Sequence, residues 1–427
     1  MKRAGDEQGT PARHYRVARV TPPAGAAAEE RRLQESALAS LRSRAGRPDA
    51  LKLFEAMLTA ADAPAGDGPA VGVFCNFVPA EVVEAVGARP VRLCTGSVVA
   101  QSAGEQVMPR DVCPVARACF GAVAARLGAA GQADVVVVPT ACDAKRRLGE
   151  FLSDYVQVLQ LSVPPRNDYR TELGYWVAEL ERLGRDLSAL TGIPLTRARL
   201  RDAIERRRAR QDAFHELQRT RLAHPHVLAG SDLALVAAAA FSADPVHWAE
   251  AVRALANEVM ALGAQRPRPS ASVPLVLTGA PLLWPAWKLY AVIEGAGASV
   301  VADTLCSATQ GLYDPVQVDE WSRPGMMRAL ALRYFSACLC PCFMDTDALT
   351  DRVLELVEEW GACGVVAHSL RLCQLSGMQC ARLRHILRQR SIPFLAVDTE
   401  LGTEDVEQVR VRVEAFLEMI KEQRRRQ

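Results

Sequence analysis

No stretch of this chain carries the ~18–20 consecutive apolar residues that a bilayer span needs. The best candidate, "LALVAAAAFSA", falls well short. The opening segment "MKRAGDEQGTPARHYRVARVTPPAGAAAEE" has no apolar core, so no secretory signal is expected there. Charge of one sign is also missing. Lys and Arg number 51 against 49 Asp and Glu, a net +2, which leaves no bulk electrostatic footprint for nucleic acid or an anionic membrane. The sequence contains no P-loop, GxSxG or HExxH motif, so ATP hydrolysis is expected to belong to another protein. "EGAGAS" has two close glycines but follows a helix pattern and precedes a strand, the reverse of a dinucleotide fingerprint. CxxC knuckles are absent as well.

Cysteine itself is plentiful, at 12 residues. With no membrane or secretory segment the expected compartment is the cytoplasm, where thiols stay reduced. Twelve cysteines there are small buried hydrophobes, metal ligands, or both.

At 427 residues the chain is too long for one hydrophobic core. Residues 1–27 are rich in Pro, Gly, Ala and charge and are expected to be a disordered tail. Residues 28–66 form a helical segment, with Leu and Met at helical spacing, closed by the linker "ADAPAGDGPA". From 67 to 166, short apolar strands ("AVGVFCNF", "RPVRLC", "ADVVVVPTAC") alternate with helices. Residues 167–270 read as helical, up to the boundary "RPRPSASVP". Residues 271–427 alternate again, with strands in "PLVLTGAP", "SVVADTLC", "CGVVAHSLRLC" and "IPFLAVDTE". Apolar strands alternating with helices predict parallel sheets covered on both faces. The expected fold class is therefore α/β, with two open parallel-sheet units and a helical segment between them. Ligands in such sheets bind beyond the C-terminal strand ends.

The cysteines gather at those ends. Cys75 and Cys94 follow the first two strands, and Cys142 follows the third. Cys113 opens a helix, with Cys119 six residues on. Cys306 and Cys373 follow strands of the second unit. Thiolates select zinc, copper(I) or iron–sulfur clusters. Structural zinc usually uses CxxC knuckles, and ferredoxins use CxxCxxC; neither occurs. Ligands from distant strand ends favour a cluster between the units, with zinc and purely structural thiols as alternatives. The run "FSACLCPCF" places Cys338, Cys340 and Cys342 at period two. On an ideal strand Cys338 and Cys342 would lie ~13 Å apart. One small cluster takes both only if the chain turns at Pro341.

"VGVFCNFVPAEVVEAVGARPVRLCTG", "PRDVCPVARACFGA", "ADVVVVPTACDAKRR", "LTGAPLLWPAWKLYAVIEGAGASVVADTLC" and "GVVAHSLRLCQLSGMQCARLRHILRQRSIPFLAVDTE" together resemble the 2-hydroxyacyl-CoA dehydratase family. That family includes benzoyl-CoA reductase subunits and double-cubane cluster proteins. The resemblance runs from about residue 67 to 422. It implies two flavodoxin-like (Rossmann-like) domains and a [4Fe-4S] cluster held by three cysteines, which fall on Cys75, Cys113 and Cys342. It also implies an ATP-hydrolysing iron–sulfur activator protein, an acyl-CoA substrate, and radical dehydration. Dehydratases pair two related subunits as a heterodimer. The double-cubane branch forms homodimers that reduce small molecules, with six cysteines holding an [8Fe-9S] cluster. For this chain the added ligands would then be Cys119, Cys142 and Cys340 or Cys306. A third alternative is a non-catalytic electron-relay subunit.

Lys145 and Arg146 in "CDAKRR" are expected either to hold a CoA phosphate or to balance a reduced cluster, against a solvated helix start. Arg92 and Arg110 are similar. His368 could position a carbonyl or shuttle a proton; the alternative is a satisfied structural histidine. Trp284, Pro285 and Trp287 could wall a pocket or pack between domains.

Overall fold

The computed structural model describes residues 18–59, 68–266 and 272–426. Most of the expected tail and of the two expected boundary segments lies outside them. Helices α1 (Ala26–Arg42) and α2 (Leu51–Thr59) precede the first sheet. That sheet contains β1 (Ala70–Val73), β2 (Arg89–Arg92), β3 (Val135–Pro139) and β4 (Gln157–Leu161). Its connections carry α3 (Ala80–Ala85), α4 (Val98–Gly104), α5 (Pro114–Ala124) and α6 (Asp143–Leu152). The helical segment follows: α7 (Leu173–Thr191), α8 (Arg197–Ala223), α9 (Gly230–Ala239) and α10 (Pro245–Gln265).

The second sheet contains β5 (Val273–Gly279), β6 (Ala298–Asp303), β7 (Gly364–Leu370) and β8 (Phe394–Thr399). Around it run α11 (Lys288–Gly295), α12 (Gln310–Tyr313), α13 (Arg323–Ser336), α14 (Asp347–Glu359), α15 (Gln374–Gln389) and α16 (Val406–Arg426). All described strand pairs are parallel. The orders are β2-β1-β3-β4 and β6-β5-β7-β8, so the two units repeat one flavodoxin-like winding. In each, the chain reverses direction across the sheet beside the first strand, at β1/β3 and β5/β7. The crevice at that switch point is where such folds bind ligands.

The apolar strands form because both faces are covered. All five residues of "VVVVP" in β3 are buried. Strand β4, "QVLQL", escaped the sequence reading for the opposite reason. It lies at a sheet edge and only Leu161 is buried, so it shows no apolar run. Helix α13 escaped too; Ser322 Oγ caps it by accepting from Gly325 N, with Pro324 in its first turn.

The C-terminal edges of the two sheets face each other. Gly96 N, after β2, donates to Trp284 O, after β5, at 2.9 Å. Asn76 Nδ2, after β1, donates to Gln310 Oε1 at 3.3 Å. Arg92 Nη2 reaches Cys306 O at 3.4 Å. One apolar cluster takes Phe74 and Leu93 from the first unit with Leu283, Leu370 and Leu401 from the second.

Helices α4 and α5 beside this edge touch backbone to backbone. A Cβ on Gly121 would lie 1.9 Å from Ala100 O, and one on Gly104 2.0 Å from Arg117 O. Neither neighbour is a flexible side chain, so the helices would have to separate. Gly121→Ala is therefore expected to destabilise the protein by about 1–3 kcal/mol, read as a lower urea midpoint with unchanged slope.

Candidate thiol centre

Strands β1 and β2 pair Val73 with Arg92. Cys75 and Cys94 each lie two residues beyond that pair, so parallel register sets them side by side. Cys75 has φ 58, a left-handed backbone uncommon for a residue with a Cβ, which re-aims the chain at the strand end. Cys119, fully buried on α5, completes the group. The thiols of Cys119 and Cys75 hydrogen-bond to Cys94 and hold it well below the usual thiol range, helped by the charges of Lys145 and Arg92. The Cys75 thiol goes the other way, raised by donating to Cys94 and by burial. Burial chiefly raises Cys119. Cys94 is thus the hub of the group, and sequence reasoning left it off the ligand set. Half of the signal was in the sequence, since Cys75 and Cys94 each close a short apolar strand; that the two strands are neighbours in register was not.

Two cations serve this group. Lys145, on the first turn of α6, is buried, and its Nζ sits 4.0 Å from the Phe74 ring centroid. That nitrogen has no hydrogen-bond partner among the described residues; its neighbours are Cys94, Cys119, Cys75 and Cys142. Arg92 Nη1 donates to Cys75 O and Asn76 Oδ1, both at 2.9 Å. Its guanidinium faces the thiols of Cys94, Cys306 and Cys75. A buried ammonium lacking both hydrogen bonds and a carboxylate is costly. Its position makes sense where the thiols carry negative charge.

A second thiol pair bridges the units. Cys113 is the N-cap of α5 and Cys373 the N-cap of α15. The Cys113 thiol hydrogen-bonds to Cys373, lowering Cys373 to about 6, with Ser376 Oγ 3.1 Å from its sulfur adding to the effect. A third pair lies in "CLCPC". Phe343 N donates to Cys340 O at 3.3 Å, closing a turn with Pro341 and Cys342 at its centre. The chain therefore bends at Pro341, and the Cys340 thiol hydrogen-bonds to Cys342. Cys338 is buried in the apolar cluster behind.

The three residues singled out from sequence thus have three different thiol neighbours: Cys75 with Cys94, Cys113 with Cys373, and Cys342 with Cys340. Cys306 lies within charge range of Cys94 and Cys340 and is pushed up to about 12 by burial. Cys142 caps α6 beside Lys145. Among the described residues no three His, Cys, Asp or Glu side chains surround a single ion position. All 12 cysteines are free thiols.

The remaining sequence candidates separate. Arg146 is exposed, 3.7 Å from Asp143, with Nε 3.4 Å from Thr140 O. Arg110 is exposed beside Glu105. His368 is completely buried in β7, with Nδ1 3.0 Å from Ala280 O and Nε2 2.8 Å from Thr399 Oγ1. Burial lowers it to about 4. Its folded value lies below the ordinary 6.5, so the unfolded chain binds the proton better. The stability this contributes is complete above about pH 6.5 and is lost as pH falls toward 4. Relative to His368→Gln, the wild type should therefore lose roughly 3 kcal/mol of stability between pH 7 and 4, by urea titration. The difference between the two proteins isolates this residue from Asp303, which burial raises to about 6 with the opposite slope.

Two flavodoxin-like units meeting at their C-terminal edges, with paired thiols and carboxylate-free cations at the junction, define a thiol-lined α/β protein built around a cleft between domains. The family model "2-hydroxyglutaryl-CoA dehydratase, D-component" matches residues 75–420. The chain belongs to this dehydratase family. It is similar to an Escherichia coli (strain K12) protein named "Putative dehydratase subunit YjiM", 30% identical over 373 residues, covering 82% of this chain and 91% of that one. It is also similar to the (R)-phenyllactyl-CoA dehydratase beta subunit of Clostridium sporogenes, 19% identical over 355 residues with the same coverage. No described helix is long and apolar enough to cross a membrane.

Proposed function

We propose that this chain is an iron–sulfur subunit of a 2-hydroxyacyl-CoA dehydratase, a lyase acting in the cytoplasm, and that the cluster sits where the two sheet edges meet. The observation that carries the reading is the junction itself: free thiols from both units gather there, with the buried, unpartnered Lys145 among Cys94, Cys119, Cys75 and Cys142 of the first. The donor set fits such a group in kind. It is all sulfur, the choice of iron–sulfur centres over hard cations. A cluster also binds each thiolate at a different iron, so it does not require the tight shell that a single ion needs. Cys75, Cys113 and Cys342 are the proposed ligands, with Cys119, Cys142, Cys340 and Cys306 as further donors beside Cys94 and Cys373. Such a group, when bound, supplies one-electron transfer at low potential and a Lewis-acidic iron for the thioester carbonyl.

The chain's own residues do the rest. Lys145 and Arg92 offset negative charge at the junction, and the apolar shell of Phe74, Leu93 and Leu283 keeps water from it. Lys145 is enclosed, which fits this role better than a CoA phosphate contact. Electrons would come from an ATP-hydrolysing iron–sulfur activator, and a related subunit would complete a dimer.

The pairing favours a second reading. Each of the three proposed ligand positions has a second thiol beside it, which is the six-cysteine complement of an [8Fe-9S] double cubane in a homodimeric reductase. Anaerobic purification with iron and acid-labile sulfide analysis tests both. A [4Fe-4S] stoichiometry supports the dehydratase subunit, and twice that iron supports the double cubane. A colourless, iron-free protein with all thiols titratable overturns both.

A further inference from the structure

A line of polar side chains joins the thiol segments of the two units. Arg92 Nη1 donates to Cys75 O and Asn76 Oδ1, both at 2.9 Å. Asn76 Nδ2 donates to Gln310 Oε1 at 3.3 Å. Gln310 Nε2 donates to Thr304 O at 3.1 Å and to Leu339 O at 3.3 Å. The line thus runs from the end of β1 to the backbone between Cys338 and Cys340. Asn76 and Gln310 are both buried.

The chemistry of its ends fixes its direction. A guanidinium only donates, and a backbone carbonyl only accepts. Each amide between them must turn its oxygen toward Arg92 and its NH2 group toward Leu339. Turning either one over would set donor against donor and acceptor against acceptor, where water cannot compensate. Gln310 is held in turn by its own loop. Asp303 Oδ1 accepts from Leu305 N at 2.9 Å and Thr309 N at 3.3 Å, which closes the turn that carries Cys306. Arg333 Nη2 donates to Gly311 O at 2.6 Å. The receiving segment has less support. Residues 337–346, with "CLCPC" among them, belong to no helix or strand, so ties from outside decide where they sit. Asn76 and Gln310 carry neither thiol nor charge, and the spacing of the cysteines does not reveal them.

We propose that Asn76 and Gln310 are positioning residues that hold the Cys340–Cys342 turn of the second unit in register with Cys75 of the first. They act through the backbone of the thiol segments and set how the thiols of the two units stand to one another. That these thiols serve a cluster rests on the iron–sulfur reading; the tie itself does not. Iodoacetamide labelling of the reduced, metal-free, full-length protein, resolved by residue with tandem mass spectrometry, tests it. Loss of a buried hydrogen bond shifts a local opening by roughly fivefold. Gln310→Leu should therefore speed labelling of Cys340 and Cys342 about fivefold. Cys363, just before β7 at the opposite end of the second sheet, should stay within about twofold. Gln310→Glu, ionised at about pH 8, keeps the shape and the acceptor for Asn76 but donates nothing to Leu339 O, and should act alike. Asn76→Leu should act in the same direction. The double variant Asn76→Leu/Gln310→Leu should exceed the larger single effect by less than about twofold, because residues of one network are not additive. Cys340 and Cys342 rates within about twofold of wild type in Gln310→Leu, or a rise shared by Cys363 in all three single variants, overturn the proposal. Iron and sulfide content of the wild type is read separately, so the cluster reading and the tie can fail independently.

Discussion

Serine in place of Cys75 should leave the anaerobically reconstituted protein nearly free of iron and acid-labile sulfide. Cys75 stands at the switch point of the first sheet, fixed by a left-handed backbone and by the Arg92 bond to its carbonyl. Loss of an outer partner alone typically costs 10–100-fold in metal affinity, and loss of a ligand should cost at least that. Serine keeps the size and the hydrogen bond to Cys94, so the fold should survive, with a urea midpoint close to the wild type's. Cys94→Ser then separates the readings. With a [4Fe-4S] cluster on Cys75, Cys113 and Cys342, iron per chain is unchanged. With a double cubane held by pairs, it falls by half or more. Wild-type iron content in Cys75→Ser would remove Cys75 from the ligand set.

Lys145→Met should move stability and redox behaviour in opposite directions. Methionine is of similar length and can occupy the same space over Phe74. It removes a buried ammonium that has no hydrogen bond, and Cys94 can then take up a proton. Exchanging a buried charge pair for apolar packing is often stabilising, and the metal-free chain should gain about 1–3 kcal/mol in urea titration. In the loaded protein the same change withdraws a positive charge from beside the thiolates. Reduction adds negative charge there, so the midpoint potential should fall by on the order of 60–120 mV, a tenfold to hundredfold shift in a one-electron equilibrium. A potential unchanged within error would mean that Lys145 does not face the redox group. A destabilised metal-free variant would mean that it is held by something other than the thiols.

The two strand-rich units were legible because parallel strands covered on both faces read as apolar runs, as "VVVVP" does. Strand β4 was not, because an edge strand keeps polar residues and hydrogen-bonds along one side only. The gathering of cysteines at strand ends was legible from offsets alone. Their partners were less so. Cys94 matters because β1 and β2 are neighbours in register, and pairing of strands is not written in either segment separately. Cys373 meets Cys113 only because two helix N-termini from separate units are brought together.

Local sequence thus determined what local physics controls. The apolar period set the strands, and Pro341 marked the turn in "CLCPC". The tertiary structure alone decided which thiols face one another, that Lys145 is enclosed while its neighbour Arg146 is solvated, and that both nitrogens of His368 are taken by the protein. The physical reason is range. Backbone preference and hydrophobic period act over a few residues. Burial and charge at the junction depend on segments about 200 residues apart, such as Arg92 and Cys306, meeting across the two sheet edges.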